Sequence, residues 1–242
     1  MTKMSAPDAP TPALLRDPAL VGTTFVVLDF EGTTPRGYSP EPVEVAAIAL
    51  RRDGDDGDGG DGDGRDGGTG HRWQQLWSFD ALMKPPAHAA VTNFDTLQHG
   101  ITAAMVADRP GAATVLAQFD AQVGARPHLL VAHNTTMEGG IIYRYRDDCP
   151  ALAATHLLDT VKLARALLPD APGYSLDALI DHLCLPRPAT RHRAMPDVEV
   201  TVALFEQLLE VAATRGLRDL ADVVRVCGST AKATLPIQDS IF

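Results

Sequence analysis

Three apolar, strand-like runs occupy the first third of the chain, and helical periodicity begins only after them. Thr24–Phe30 (TFVVLDF), Val43–Leu50 (VEVAAIAL) and Trp73–Met83 (WQQLWSFDALM) are each of strand length and are separated by turn-forming segments, which suggests an antiparallel meander. Beyond them Ala112–Val123, Thr136–Arg146, Thr160–Leu167, Leu176–Leu183, Asp197–Ala213 and Leu217–Val226 read as helices. His128–Ala132 (HLLVA) reads as a short buried strand among them. Strands first, then strands alternating with helices, can bury their apolar faces as a three-layer α/β domain around a mixed sheet. At 242 residues the chain suits one large domain or two small ones. A chain of that size can bury a core without disulfides or a structural metal.

The second and third runs are separated by DGDDGDGGDGDGRDGGTG (residues 53–70), nine Gly and seven Asp in eighteen residues. Glycine is costly to order and like charges repel, so this tract reads as a disordered insertion in the second hairpin. A calcium loop fails on register: counting from Asp61, the sixth position is Asp66 rather than Gly and the twelfth is Arg72 rather than Glu. The tract also locates the acidity. The chain carries −10 overall and the tract −6, which leaves −4 for everything else. Net charge therefore does not exclude a nucleic-acid substrate.

Residues 1–21, with Pro7, Pro10, Pro12 and Pro18 and no apolar core, read as a flexible tail and not as a secretory leader. The domain is expected to span 22–228, and residues 229–242 to form a C-terminal tail. No apolar run approaches the ~20 residues needed to cross a bilayer. Cys149, Cys184 and Cys227 are odd in number and far apart, which fits free thiols in a reducing cytoplasm better than a zinc site or a disulfide framework.

Three clusters carry chemistry. Asp29 and Glu31 close the first strand two residues apart, so their side chains share one face. Two such carboxylates repel unless a cation lies between them. Gly32, Thr33 and Thr34 then turn the chain and offer amide and hydroxyl groups to a close ligand. The second cluster, His133-Asn134-Thr135-Thr136-Met137-Glu138, follows the HLLVA strand directly. It places an acid in the first turn of the next helix, at the carboxyl edge of a sheet where α/β ligands bind. The third is His192-Arg193-Ala194-Met195-Pro196-Asp197. Pro196 suits the first helical position, which would leave His192 on the preceding loop and free to converge with Asp197. Each cluster also has an ordinary reading: a strand running into a polar loop, a first-turn acid facing the helix dipole, or surface cations.

Taken in order, DFEGTT, HNTTMEGGII and HRAMPD resemble the three motifs of the DEDDh exonucleases, the family of the proofreading subunit of bacterial DNA polymerase. His99-Gly100-Ile101-Thr102, Leu158-Asp159-Thr160 and Tyr174-Ser175-Leu176 also fall where that family has similar residues. The resemblance covers about residues 22–212. It implies a ribonuclease-H-like α/β/α domain with a mixed five-stranded sheet, and a 3′→5′ exonuclease acting on single-stranded nucleic acid. It further implies that Asp29, Glu31, Glu138 and Asp197 hold two divalent cations, with His192 taking a proton from the attacking water. Phe30, Gly32, Thr33, Thr34, His133, Asn134 and Arg193 would line the substrate. Hard oxygen ligands suit Mg²⁺ or Mn²⁺, and two such ions balance four carboxylates while stabilising the attacking and leaving oxygens.

The chain departs from the family in two places. Glu138 stands where the family has Asp, beside Met137 where it usually has Phe, and the first motif reads EGTT rather than ETTG. The departures leave two other readings open: a nuclease-like binding module impaired in catalysis, and an RNA-trimming member of the same fold. At the far end, Gln238-Asp239-Ser240-Ile241-Phe242 resembles the short peptide with which bacterial replication proteins bind the sliding clamp. The ordinary alternative is a tail that buries Phe242 against the domain.

Overall fold

Side-chain alternation along one strand sets the layers of the structure, a computed structural model that describes residues 11–54, 73–124, 128–188 and 192–230. Along β1 (Thr24–Gly32), Phe25 and Val27 enter one core while Val26, Leu28 and Phe30 enter another on the opposite face. A strand apolar on both faces belongs inside a sheet covered on both sides. β1 sits there: the strand order is β3-β2-β1-β4-β5-β6. β2 (Pro42–Arg52) and β3 (Trp73–Leu82) continue antiparallel from it as a meander. On its other side β4 (His128–Ala132) and β5 (His156–Asp159) run parallel, and β6 (Gly228–Thr230) returns antiparallel against β5.

The helices, in chain order, are α1 (Pro18–Gly22), α2 (Asn93–His99), α3 (Ala103–Val106), α4 (Ala112–Val123), α5 (Thr136–Arg144) and α6 (Pro150–Ala153). They continue with α7 (Thr160–Leu167), α8 (Leu176–Leu183), α9 (Ala194–Thr214) and α10 (Leu220–Cys227). α4, α5 and α6 pack Leu116, Phe119, Ile141 and Leu152 on the Phe30 side of the sheet. α7, α8, α9 and α10 pack Leu163, Leu179, Phe205 and Val223 on the Phe25 side, where Phe25 meets Phe205 with ring centroids 5.2 Å apart. The chain is thus the three-layer α/β/α domain with a mixed sheet that its sequence suggests.

The structure differs from the sequence reading in several places, among them the ends of α5 and α10. Among the described residues the sheet has six strands, not five. The additional strand is only Gly-Ser-Thr, with no apolar alternation to mark it, and it takes in residues 229 and 230 of the expected C-terminal tail. The flexible-tail reading of 1–21 fails from Leu14 onward. Leu14, Leu15 and Leu20 are buried in the α9-side core, and Pro18 opens α1 rather than breaking structure, because a first helical position needs no N–H. Asp17 caps that helix through the Ala19 amide and accepts a 2.7 Å bond from the Leu220 amide of α10, which ties the segment to the domain. α9 begins at Ala194, so Pro196 is its third residue rather than its first, still within the turn whose N–H groups lack intrahelical partners. The readings of residues 55–70 and of Gln238–Phe242 lie outside the described residues. Among the described residues no helix is long and apolar enough to cross a membrane.

Candidate active site

Asp29 and Glu31 leave β1 on the face covered by α9, and Asp197 stands in the first turn of α9 above them. One carboxylate oxygen from each of the three lies within 4.8 Å of the others. Glu138 approaches from the first turn of α5, outside that tight group. Its side chain is 2% exposed, and its Oε2 is buried without a hydrogen-bond partner. A buried carboxylate oxygen with no donor is costly. Four acids converging at one strand end, one of them orphaned, form a set of hard oxygen donors that fits a divalent cation.

The electrostatics express the same crowding. Burial, then the charges of Glu138, Glu31, Asp197 and Glu44 in that order, push the Asp29 carboxyl well above the usual carboxylate range. Burial pushes Glu138 up to about 8; hydrogen bonding to its own amide opposes this, while Asp159 and Glu31 add to it. Without a cation Glu138 therefore holds its proton into the neutral range, and the proton on Asp29 is favoured in the same direction. A cation must displace those protons, so its affinity should rise as pH rises toward 8. Titration calorimetry with Mn²⁺ in buffers of different ionisation enthalpy should show net proton release; buffer-independent heats would contradict this. The stability sign follows. A raised folded-state value means that the native state binds more protons than the unfolded chain. The metal-free domain should thus lose stability as pH climbs from the ordinary carboxylate range through about 8.

The loops around the acids are held by side chains that sequence reading passes over. After a register shift at Glu31/Gly32, the Thr33 amide bonds the Glu41 carbonyl at 2.8 Å. Gly32 allows that closeness, since a β-carbon there would lie 3.3 Å from the same carbonyl oxygen. Thr34 donates from its amide (3.0 Å) and hydroxyl (2.7 Å) to Asp95 of α2, whose other oxygen accepts from the Thr92 amide and hydroxyl in a capping box. Burial works to raise Asp95, but those bonds outweigh it and hold the carboxyl below its ordinary value. On the β4 side, Asp159 ends β5 and caps α7 through Val161 and Lys162. It also accepts from the Thr135 amide and hydroxyl, which fixes the turn that leads to Glu138.

The structure divides the expected substrate residues. Phe30 is a correction: side-chain alternation along β1 turns it away from Asp29 and Glu31 into the opposite core, where it is buried. Thr33 is buried and its hydroxyl faces Glu41, so what it offers is loop closure rather than an open donor. Gly32 directly follows Glu31 at the end of β1, and Thr34 gives its hydroxyl to Asp95. His133 contacts the Thr160 hydroxyl through Nδ1 at 2.9 Å. Asn134 is exposed and takes a left-handed conformation with φ of +67°. Arg193 is not an open cation: its guanidinium grips Glu44 of β2. His192 is exposed, with φ of +60°, immediately before the head of α9.

Glu44 and Asp80 are the acids that sequence reading left unassigned on this face. Glu44 lies directly opposite Glu31 on the neighbouring strand, and Asp80 opposite Ala46, itself opposite Asp29. Their signal was present: each is a charge inside a strand-like run.

The family model for exonucleases, RNase_T, matches residues 26–205. The DNA polymerase III subunit epsilon-like protein of Rhodobacter capsulatus is 33% identical over 209 residues, covering 83% of this chain and 26% of its own length. The PolC-type DNA polymerase III of Oceanobacillus iheyensis is 31% identical, covering 80% of this chain and 12% of its own. The chain thus spans about a quarter or less of the curated relatives it matches. Among solved structures, exonuclease X in complex with 5′-overhanging duplex DNA superposes with a TM-score of 0.54 at 24% identity, covering 84% of this chain and 98% of that one. A 3′-exonuclease that recognises a histone mRNA stem-loop superposes at 0.62 and 12% identity, covering 93% and 75%. The chain belongs to the DEDDh exonuclease family.

Proposed function

We propose that this domain is a metal-dependent 3′→5′ exonuclease that releases nucleoside monophosphates from single-stranded DNA. The observation that carries the reading is the meeting of Asp29, Glu31 and Asp197 within 4.8 Å, beside the orphaned buried oxygen of Glu138. Two divalent ions, Mg²⁺ or Mn²⁺, would supply a polarised water and charge for the leaving oxygen. Asp29, at the centre of the cluster, is the shared ligand; Glu31, Glu138 and Asp197 complete the set. His192 is assigned the proton from the attacking water: it is exposed, precedes the helix that carries Asp197, and carries an imidazole of the kind most often used as a general base. Gly32, Thr34, His133 and Asn134, which flank Glu31 and Glu138 in the first two motifs, are assigned to the 3′-terminal nucleotide.

DNA is favoured over RNA because the curated relatives are named as parts of DNA polymerases. Digestion of labelled DNA and RNA oligonucleotides, single-stranded and duplex, with Mg²⁺ or Mn²⁺ tests the substrate. Faster hydrolysis of RNA than of DNA would overturn that choice.

Glu138→Asp tests the departure in the second motif. Asp is the family's usual acid, and the shorter side chain removes a buried methylene without removing the charge. Equal or higher turnover is expected. Complete loss, read in the same assay with the fold checked by circular dichroism, would mean the site is built around the longer acid.

A further inference from the structure

Resting on the exonuclease reading, we propose that Glu44 is a positioning residue that sets the head of α9, and with it Asp197 and His192, against the strand carrying Asp29 and Glu31. Glu44 is 1% exposed, the lone charge in an otherwise apolar stretch of β2 from Pro42 to Leu50. Its two oxygens each accept from Arg193 Nε at 3.0 Å, Oε1 also accepts from Arg193 Nη2, and Oε2 accepts from the Ala194 amide at 2.9 Å. Ala194 is the first residue of α9, and the preceding residue supplies no side-chain cap. A carboxylate reaching across from the sheet therefore takes the place of a local N-cap, where negative charge also suits the helix dipole.

That placement couples two motifs. Glu44 sits opposite Glu31 in the β1–β2 register, so it holds α9 from a point level with the acid cluster. Asp197 lies one helical turn into α9, its amide bonded to the Arg193 carbonyl at 3.2 Å. His192 directly precedes the gripped arginine. Arg193 also answers a charge problem. Like charges directly opposite on neighbouring strands are unfavourable, and the charge of Glu44 is among those that push Asp29 up. The two-pronged guanidinium supplies the compensating charge in a geometry that lysine cannot match.

The test uses the full chain and compares the parent with Glu44→Gln, which keeps shape and removes charge. Mn²⁺ affinity is measured by calorimetry, and kcat and KM on a 3′-labelled single-stranded oligonucleotide, below the thermal midpoint of each protein. Losing a group that orients metal ligands typically costs about 10–100-fold in affinity or activity. The expectation is a loss in that range for both Mn²⁺ affinity and kcat, with KM nearly unchanged. A folded Glu44→Gln protein with the parent's Mn²⁺ affinity and kcat overturns the proposal, because a merely stabilising ion pair would move neither. Should Glu44→Gln not fold, Arg193→Lys keeps the charge balance and loses only the two-pronged grip. It should show the same losses in smaller measure; parental values would assign the pair to stability alone. A raised KM with kcat and Mn²⁺ affinity unchanged would assign Arg193 to substrate and likewise overturn the proposal. A parent that binds Mn²⁺ yet releases no nucleotide would fault the exonuclease reading instead, leaving Mn²⁺ affinity to decide the role of Glu44. A parent that binds no Mn²⁺ ends both.

Discussion

Replacing Asp29 with Asn should lower hydrolysis by on the order of 10⁴-fold or more, as removal of a central catalytic group commonly does, while leaving the metal-free domain at least as stable. The two effects have one cause. Asp29 stands where burial and four neighbouring carboxylates all disfavour its charge, so an isosteric amide relieves repulsion that the folded protein otherwise bears. The same amide is a poor ligand and cannot offer a negative oxygen to two cations. Thermal melts in a mildly alkaline, chelator-containing buffer should give the Asp29→Asn protein a midpoint no lower than the parent's. Turnover near the parental rate would remove the two-metal assignment, and a large drop in stability would contradict the electrostatic account of the site.

Removing the imidazole at 192 should slow turnover by roughly 10²–10⁴-fold, the usual contribution of a general base, and leave Mn²⁺ affinity intact. The residual activity should be compared at saturating Mn²⁺, where loss of the general base and not of the metal sets the rate. The backbone supplies a control. His192 has φ of +60°, a conformation that Asn tolerates better than Ala. His192→Asn and His192→Ala should therefore fall together if the ring is the cause, whereas a rate rescued by Asn alone would trace the loss to backbone geometry. Parental rates in both would make His192 structural.

The acids were legible in the sequence because strand periodicity is strict. Two carboxylates two residues apart at the end of TFVVLDF must share a face, and the structure turns them toward α9 beside Asp197. The same rule, applied to the residue between them, excludes Phe30 from the substrate surface; placing it with its neighbours followed the motif rather than the alternation. What holds the motifs was harder to read. Glu44 is 149 residues from Arg193, and Asp95 is 61 from Thr34. Neither pairing has a local signature, since each needs the folded sheet to bring its partners together. A buried charge inside VEVAAIAL was nonetheless a sign that something must compensate it. The start of the domain was obscured by composition. The prolines before residue 19 suggest looseness, yet the leucines between them fill the α9-side core. β6 has no apolar pattern at all and exists through its pairing with β5.

Hydrolysis of the terminal phosphodiester of a 3′ end by divalent cations held on four carboxylates is the activity expected at this sheet edge. It is tested most directly by following one single-stranded DNA oligonucleotide, labelled at its 5′ or its 3′ end, with the parent and Asp29→Asn proteins in Mn²⁺ or chelator. The parent with Mn²⁺ is expected to release the 3′ label at once as a mononucleotide. The 5′-labelled strand should shorten stepwise, and Asp29→Asn or chelator should stop both. Early release of the 5′ label, internal cleavage, or hydrolysis that persists without Asp29 or without metal would contradict it.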